Sequence, residues 1–140
     1  MTYIDTGLLA AYYCPEKLSN AAQKALAKTP QPVISPLVEV ELYSAVAAKV
    51  RVRQLDAASA RRIVALFQKH LAHGCYGVVP IETAEYNLAR DWIAGFASPL
   101  RTLDAPHLAA AFTNDLTLLT ADKALARSAE HFGVTCQLVS

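Results

Sequence analysis

Apolar and polar positions change rhythm several times along the chain, and each change predicts an element. Thr2, Tyr3 and Ile4 are short, β-prone and end on Asp5, which reads as a first strand. Residues 6–13 are mostly apolar and predict a short helix, broken by Cys14-Pro15. Over residues 16–28 the apolar positions Leu18, Ala22, Ala25 and Leu26 have helical spacing. Thr29 to Pro32 is a turn, and Val33-Ile34 a second strand. Ser35 as N-cap and Pro36 at the first helical position start a helix to about Val50, with Leu37, Val40, Ser44 and Ala47 as its expected apolar face. Asp56 caps a further helix over residues 57–70. A third strand is expected over residues 78–81, confined by Pro80 to an edge or to its own end. Thr83 caps a helix to about Phe96, which would place Trp92 and Phe96 one turn apart. Another helix runs from Asp104 to about Asn114. Residues 116–120 form a fourth strand, residues 121–132 a last helix, and residues 134–138 a last strand.

Short strands alternating with helices imply a parallel sheet covered on both faces. With right-handed crossovers this is an α/β fold, a three-layer α/β/α sandwich around a mostly parallel sheet of four to five short strands. The length of 140 residues fits one domain over 1–140. In such folds ligands bind outside the carboxyl ends of the strands, where strand order switches. Asp5 and Asp122 both fall just past expected strand ends.

Composition narrows the setting. At 54% hydrophobic residues the chain can bury a core without covalent staples. Cys14, Cys75 and Cys136 are odd in number and widely spaced, which argues against a disulfide framework and for a reducing cytoplasm. The opening residues lack the basic segment of a signal peptide, and no apolar run is long enough to cross a bilayer. The net charge of +1 is uneven: residues 1–41 carry −1, residues 42–79 carry +5 and residues 80–140 carry −3. A solvated helical face explains the basic middle; so would contact with a polyanion. His70, His73 and Cys75 lack the paired spacing of a zinc site. His107 and His131 read as packing or surface residues. There is no phosphate-cradling glycine loop and no Gly-x-Ser-x-Gly.

Four acids stand out: Asp5, Glu41, Asp104 and Asp122. Singly, each has an ordinary role. Asp5 and Asp104 could cap helices, Asp122 could answer a helix dipole, and Glu41 could face water. Glu41, however, lies four residues after Leu37 and four before Ala45, on or beside an apolar stripe, where a carboxylate needs a partner. Crowded carboxylates repel and raise one another's pKa, and a hard divalent cation such as Mg²⁺ or Mn²⁺ removes that penalty. Such a cation also polarises phosphoryl oxygens and acidifies water, the chemistry of a phosphodiester hydrolase.

At these residues the sequence resembles the PIN-domain ribonucleases, and within them the VapC-type toxins of toxin–antitoxin pairs. The resemblance rests on Tyr3 to Leu9, Ile34 to Leu42, Leu100 to Ala111 and Leu118 to Lys123, in the family's order along nearly the whole chain. It implies Asp5, Glu41, Asp104 and Asp122 as the acidic site, with Asp5 and Asp104 foremost as metal ligands and Thr6 and Thr120 as supporting hydroxyls. Glu39 rivals Glu41, but a two-residue step turns it to another helix face. Gly7 stands where Ser is frequent, and Pro106 where Leu is frequent. The resemblance further implies a Mg²⁺- or Mn²⁺-dependent endoribonuclease leaving 5′-phosphate and 3′-hydroxyl ends, an RNA substrate and an antitoxin partner. A homodimer is expected as well. The resemblance gives Lys49, Arg51, Arg53, Arg61 and Arg62 a role on RNA phosphates, and Arg101 a contact to substrate or a brace for the site.

Two other readings compete. An Asp-nucleophile phosphatase would use Asp5, but it wants a second Asp two residues later, where Gly7 stands. A non-catalytic interaction module would tolerate a degenerate acidic site, which this set of acids is not.

Overall fold

The computed structural model describes residues 1–140. In chain order the elements are β1 (Thr2–Ile4), α1 (Thr6–Tyr13), α2 (Ser19–Ala27), β2 (Pro32–Ile34), α3 (Pro36–Arg51), α4 (Ala57–Ala72), β3 (Gly77–Val78), α5 (Thr83–Ala94), α6 (Asp104–Thr113), β4 (Thr117–Thr120), α7 (Lys123–His131) and β5 (Cys136–Leu138). The five strands form one sheet in the order β3-β2-β1-β4-β5, and every pair is parallel. The doubly wound α/β architecture expected from the alternation is present, with β1 central and the order reversing between β1 and β4. Ile4 lies opposite Leu119, so the next residues out, Asp5 and Thr120, emerge side by side at that switch.

The core is one cluster of 26 buried residues. Helix α1 is buried at Leu8, Leu9, Ala10, Ala11 and Tyr13, and α6 along the whole run Ala105 to Ala111. Both are therefore central helices with no solvent face to speak of. A smaller cluster of Cys14, Val46 and Ala60 joins α3 to α4.

Several starts follow the expected local chemistry. Ser35 accepts from the Val38 N–H as the cap of α3, and Asp56 accepts from the Ser59 N–H at 2.7 Å as the cap of α4. Pro106 sits in the first turn of α6, where its missing N–H costs nothing. Other expectations are corrected. The buried stripe of α3 is Val38, Leu42 and Val46, while Val40 is exposed. Apolar residues surround that helix, so their count does not fix its rotation. Strand β3 is only two residues long and lies at an edge, with Pro80 beyond it. The cap of α5 is Glu82, whose N–H donates to Glu85 Oε1 at 2.8 Å, and Thr83 is its first helical residue. That helix ends at Ala94. Phe96 lies beyond it with φ +55° and is 90% exposed, whereas Trp92 packs inward, stacked on Phe132 with ring centroids 4.6 Å apart.

Candidate active site

Asp5 leaves β1 at the N-cap position of α1, yet its side chain caps nothing. Its Oδ2 instead accepts from the Thr120 hydroxyl at 2.7 Å, and the same hydroxyl oxygen accepts from the Asp122 N–H at 3.0 Å. Asp122 is the true cap of the pair: its Oδ1 accepts from the N–H groups of Ala124 and Leu125 at 2.9 and 3.1 Å. Glu41 is the acid of α3 that turns inward. Its Oε1 accepts from the Thr6 hydroxyl at 2.7 Å and is hydrogen-bonded to His107 Nε2. Glu39 makes no such contact. Asp104 is the first residue of α6, and Arg101 reaches it at 3.5 Å through Nε while reaching Asp122 at 3.6 Å through Nη2.

The four acids thus collect at the carboxyl edge of the sheet. They share one electrostatic environment. Burial pushes Asp5 above the ordinary aspartate range; the hydrogen bond from Thr120 pulls it back, and the charges of Asp104 and Asp122 raise it further. Burial likewise raises Asp104, opposed by Arg101 and reinforced by Asp122. Burial would also raise Glu41, but the hydrogen bonds from His107 and Thr6 outweigh it, and its carboxyl lies below the ordinary value. Glu41, Arg101 and Asp104 line a cleft of about 590 Å³ together with Ile93, Leu100, Thr102 and Leu103. A hollow of similar size, about 630 Å³, lies between α7 and β5, but it holds one acid, Glu130, beside Lys123 and Arg127.

No three of the His, Cys, Asp and Glu side chains close into a ready metal cage. The donors present are all hard carboxylate oxygens, and Mg²⁺ commonly uses one or two carboxylates and keeps several waters. The donor set therefore fits such a cation, with Asp5 and Asp104 as the pair whose raised carboxyls a positive charge would relieve. Arg101 supplies positive charge there in this structure.

A protein-family profile described as PIN domain matches residues 2–130. This chain belongs to the PIN-domain family. Among solved structures, this PIN domain is similar to VapC20 from Mycobacterium tuberculosis, described as a sarcin-ricin loop cleaving toxin (15% identity, covering 91% of this chain and 95% of that one, TM-score 0.71). It is similar to VapBC2 from Rickettsia felis, bound to a DNA fragment from its promoter (15% identity, 100% of both chains, TM-score 0.71). FitAcB from Neisseria gonorrhoeae gives 16% identity over 97% of this chain and 96% of that one, with a TM-score of 0.70. At such identities the likeness is one of fold. A comparison with curated protein sequences gives no match.

The structure does not bring all the expected residues together. Arg51 lies ten residues beyond Glu41 at the end of α3, roughly 15 Å along the helix, Arg53 lies just past that end, and Arg61 and Arg62 are on α4. Arg51, Arg53, Arg61 and Arg62 are exposed. Arg101 is the one expected phosphate-binding residue inside the acidic cleft. Lys49 is paired with Glu16 at 3.0 Å. His70 Nδ1 is hydrogen-bonded to the Tyr13 hydroxyl at 2.6 Å.

Reading the sequence missed His107, Tyr3 and Ser35, all fully or almost fully buried. Tyr3 Oη lies 2.6 Å from His107 Nδ1 and 2.7 Å from Ser35 Oγ. A signal was available. His107 is the one polar residue in the run Ala105 to Ala111, and a histidine inside so apolar a helix must find partners.

Proposed function

We propose that this PIN domain is a divalent-metal-dependent endoribonuclease and the toxin of a toxin–antitoxin pair. The observation that carries the reading is the meeting of Asp5, Glu41, Asp104 and Asp122 at the sheet's switch point, each from a different element or loop. Asp5 and Asp104 would hold the cation, with Glu41 and Asp122 beside them. A bound Mg²⁺ or Mn²⁺ supplies Lewis-acid polarisation of the phosphoryl oxygen and a water of lowered pKa. The protein's own part is positional. Thr120 fixes Asp5, Thr6 fixes Glu41, and the helix cap fixes Asp122, so the carboxylates need little reorganisation when substrate arrives. Arg101, mostly exposed where it bridges Asp104 and Asp122, would be placed to turn to an RNA phosphate. Arg51, Arg53, Arg61 and Arg62 would hold phosphates farther along the strand and make binding salt-dependent.

An antitoxin fits the same face. Next to the cleft is an apolar groove of about 530 Å³, lined by Leu37, Tyr86, Ile93, Phe96, Leu103 and Pro106 among others. Phe96, Leu103 and Tyr86 are all more than half exposed, an apolar surface suited to a protein partner. A homodimer belongs to this reading too, and light scattering of the purified chain measures it. No helix is long and apolar enough to cross a membrane.

The deciding experiment incubates purified protein with structured RNA and Mg²⁺ or Mn²⁺, then maps the product ends. Wild type gives 5′-phosphate and 3′-hydroxyl ends; Asp5→Asn, folded, gives none. Equal cutting by Asp5→Asn overturns the reading.

A further inference from the structure

Beneath Glu41 runs a buried polar path that joins four elements. Ser35 at the start of α3 meets Tyr3 on β1, Tyr3 meets His107 on α6, and His107 returns to Glu41 on α3, where Thr6 of α1 also binds. Ser35, Tyr3 and His107 are 0%, 0% and 1% exposed. In so dry a place every proton needs an acceptor, and counting them fixes the direction of the path.

Ser35 Oγ already accepts from the Val38 N–H at 3.4 Å, and its one other polar neighbour is the Tyr3 hydroxyl. The Ser35 proton therefore goes to Tyr3. The Tyr3 proton then goes to His107 Nδ1, which must be bare, and the His107 proton sits on Nε2 and goes to Glu41 Oε1. In the reverse arrangement Tyr3 donates to Ser35, and the buried Ser35 proton has no acceptor. One orientation satisfies the set.

We propose that Ser35, Tyr3 and His107 form a one-way hydrogen-bond chain that positions Glu41 and leaves Oε2 as its free oxygen for the cleft. Oε1 receives two donors, Thr6 and His107, which fill its two lone pairs. The chain ends blind at Ser35, so it passes no proton to solvent. His107 and Tyr3 are positioning residues that act through Glu41. The functional consequence rests on the nuclease reading above; the orientation of the chain does not.

Nitrogen-15 NMR of the imidazoles tests the orientation directly. The expected result is His107 with a bare Nδ1 and a protonated Nε2; a proton on Nδ1 overturns the proposal. Function is tested with Tyr3→Phe, which keeps the ring and removes the hydroxyl. Partners behind a metal-binding group are commonly worth about 10- to 100-fold in affinity or activity. Tyr3→Phe is expected to weaken Mn²⁺ binding, measured by calorimetry, by about 10-fold. It should lower kcat on RNA by a similar factor with KM unchanged. A folded Tyr3→Phe with wild-type Mn²⁺ affinity and kcat overturns the positioning role. If Tyr3→Phe does not fold, His107→Gln and His107→Leu decide. The glutamine keeps an N–H near the Nε2 position and should retain several-fold more Mn²⁺ affinity than the leucine; equal affinities overturn the role. Full activity of Asp5→Asn would sink the nuclease reading instead, and the imidazole spectrum would still decide the chain.

Discussion

Asp5 and Glu41 are held from within the fold by neutral donors, whereas Asp104 and Asp122 are bridged on the open side by a charged, mostly exposed arginine. Thr120 and Thr6 donate to the first pair at 2.7 Å each. Arg101 reaches the second pair at 3.5 and 3.6 Å with its own side chain 74% exposed. The inner half is set by burial and hydrogen bonds, which salt does not screen. In the outer half Asp122 is held by its helix cap, and what joins it to Asp104 is an ion pair that water and salt weaken. An acidic site built this way has one wall that stays put and one that can exchange its cation.

The largest expected effect breaks the inner half. Asp5→Asn should abolish metal-dependent RNA cleavage, read as loss of product on a gel. It should also stabilise the metal-free protein. Because burial raises the Asp5 carboxyl, the folded state holds that proton more tightly than the unfolded chain. Stability therefore falls as pH rises from the ordinary aspartate range through the raised value. At pH 7 to 8 the variant should melt higher than wild type, and the gain should fade below about pH 4. Glu41 is shifted the other way. Its contribution is complete above the ordinary glutamate range and lost as pH falls from that range through the lowered value, and Glu41→Gln should remove that acid-side loss.

Smaller effects should separate the two threonines. Thr120→Val strips Asp5 of its donor and also orphans the Asp122 N–H, while Thr6→Val takes one donor of two from Glu41. Thr120→Val should lower kcat by about 10-fold or more, and by more than Thr6→Val does. Equal effects would mean that the Asp122 contact is idle. On the outer half, Arg101→Ala should change stability by less than about 1 kcal/mol. It should tighten Mn²⁺ binding at low salt by up to about fivefold, an advantage that shrinks in 1 M salt. The smallest change is Gly7→Ser. A Cβ there would sit 3.8 Å from Asp5 Oδ2, in ordinary contact, so the backbone has room for a side chain. It should raise stability by about 0.5 kcal/mol through helix propensity, seen as a higher Tm.

Much of this architecture was legible because it is local. Asp5 follows a β-prone triplet, Ser35-Pro36 begins a helix, and Thr6 and Thr120 stand within two residues of Asp5 and Asp122 in the chain. Membership of the PIN family came from ordered motifs of the same local kind. The phase of α3 was not legible, since apolar residues surround it and only packing against the sheet selects Val38, Leu42 and Val46. Phe96 was read as part of a helix that stops two residues earlier. Tyr3, Ser35 and His107 escaped for another reason: the hydrogen bonds that make them matter join residues 32 and 104 positions apart. The inner half of the site was thus visible in its acids and its two threonines, and invisible in the buried chain behind Glu41.

The central strand of the sheet is the first to be synthesised, and its neighbour β4 is among the last. Asp5 emerges from the ribosome early, but its hydroxyl partner Thr120 follows 115 residues later. A chain that must wait for so distant a pairing folds late, because its contacts are far apart in sequence. A growing or prematurely ended chain that lacks residues 117–120 has the acids of β1 and α3 without the strand that assembles them. By its strand order this domain delays its own completion until its fourth strand has been made.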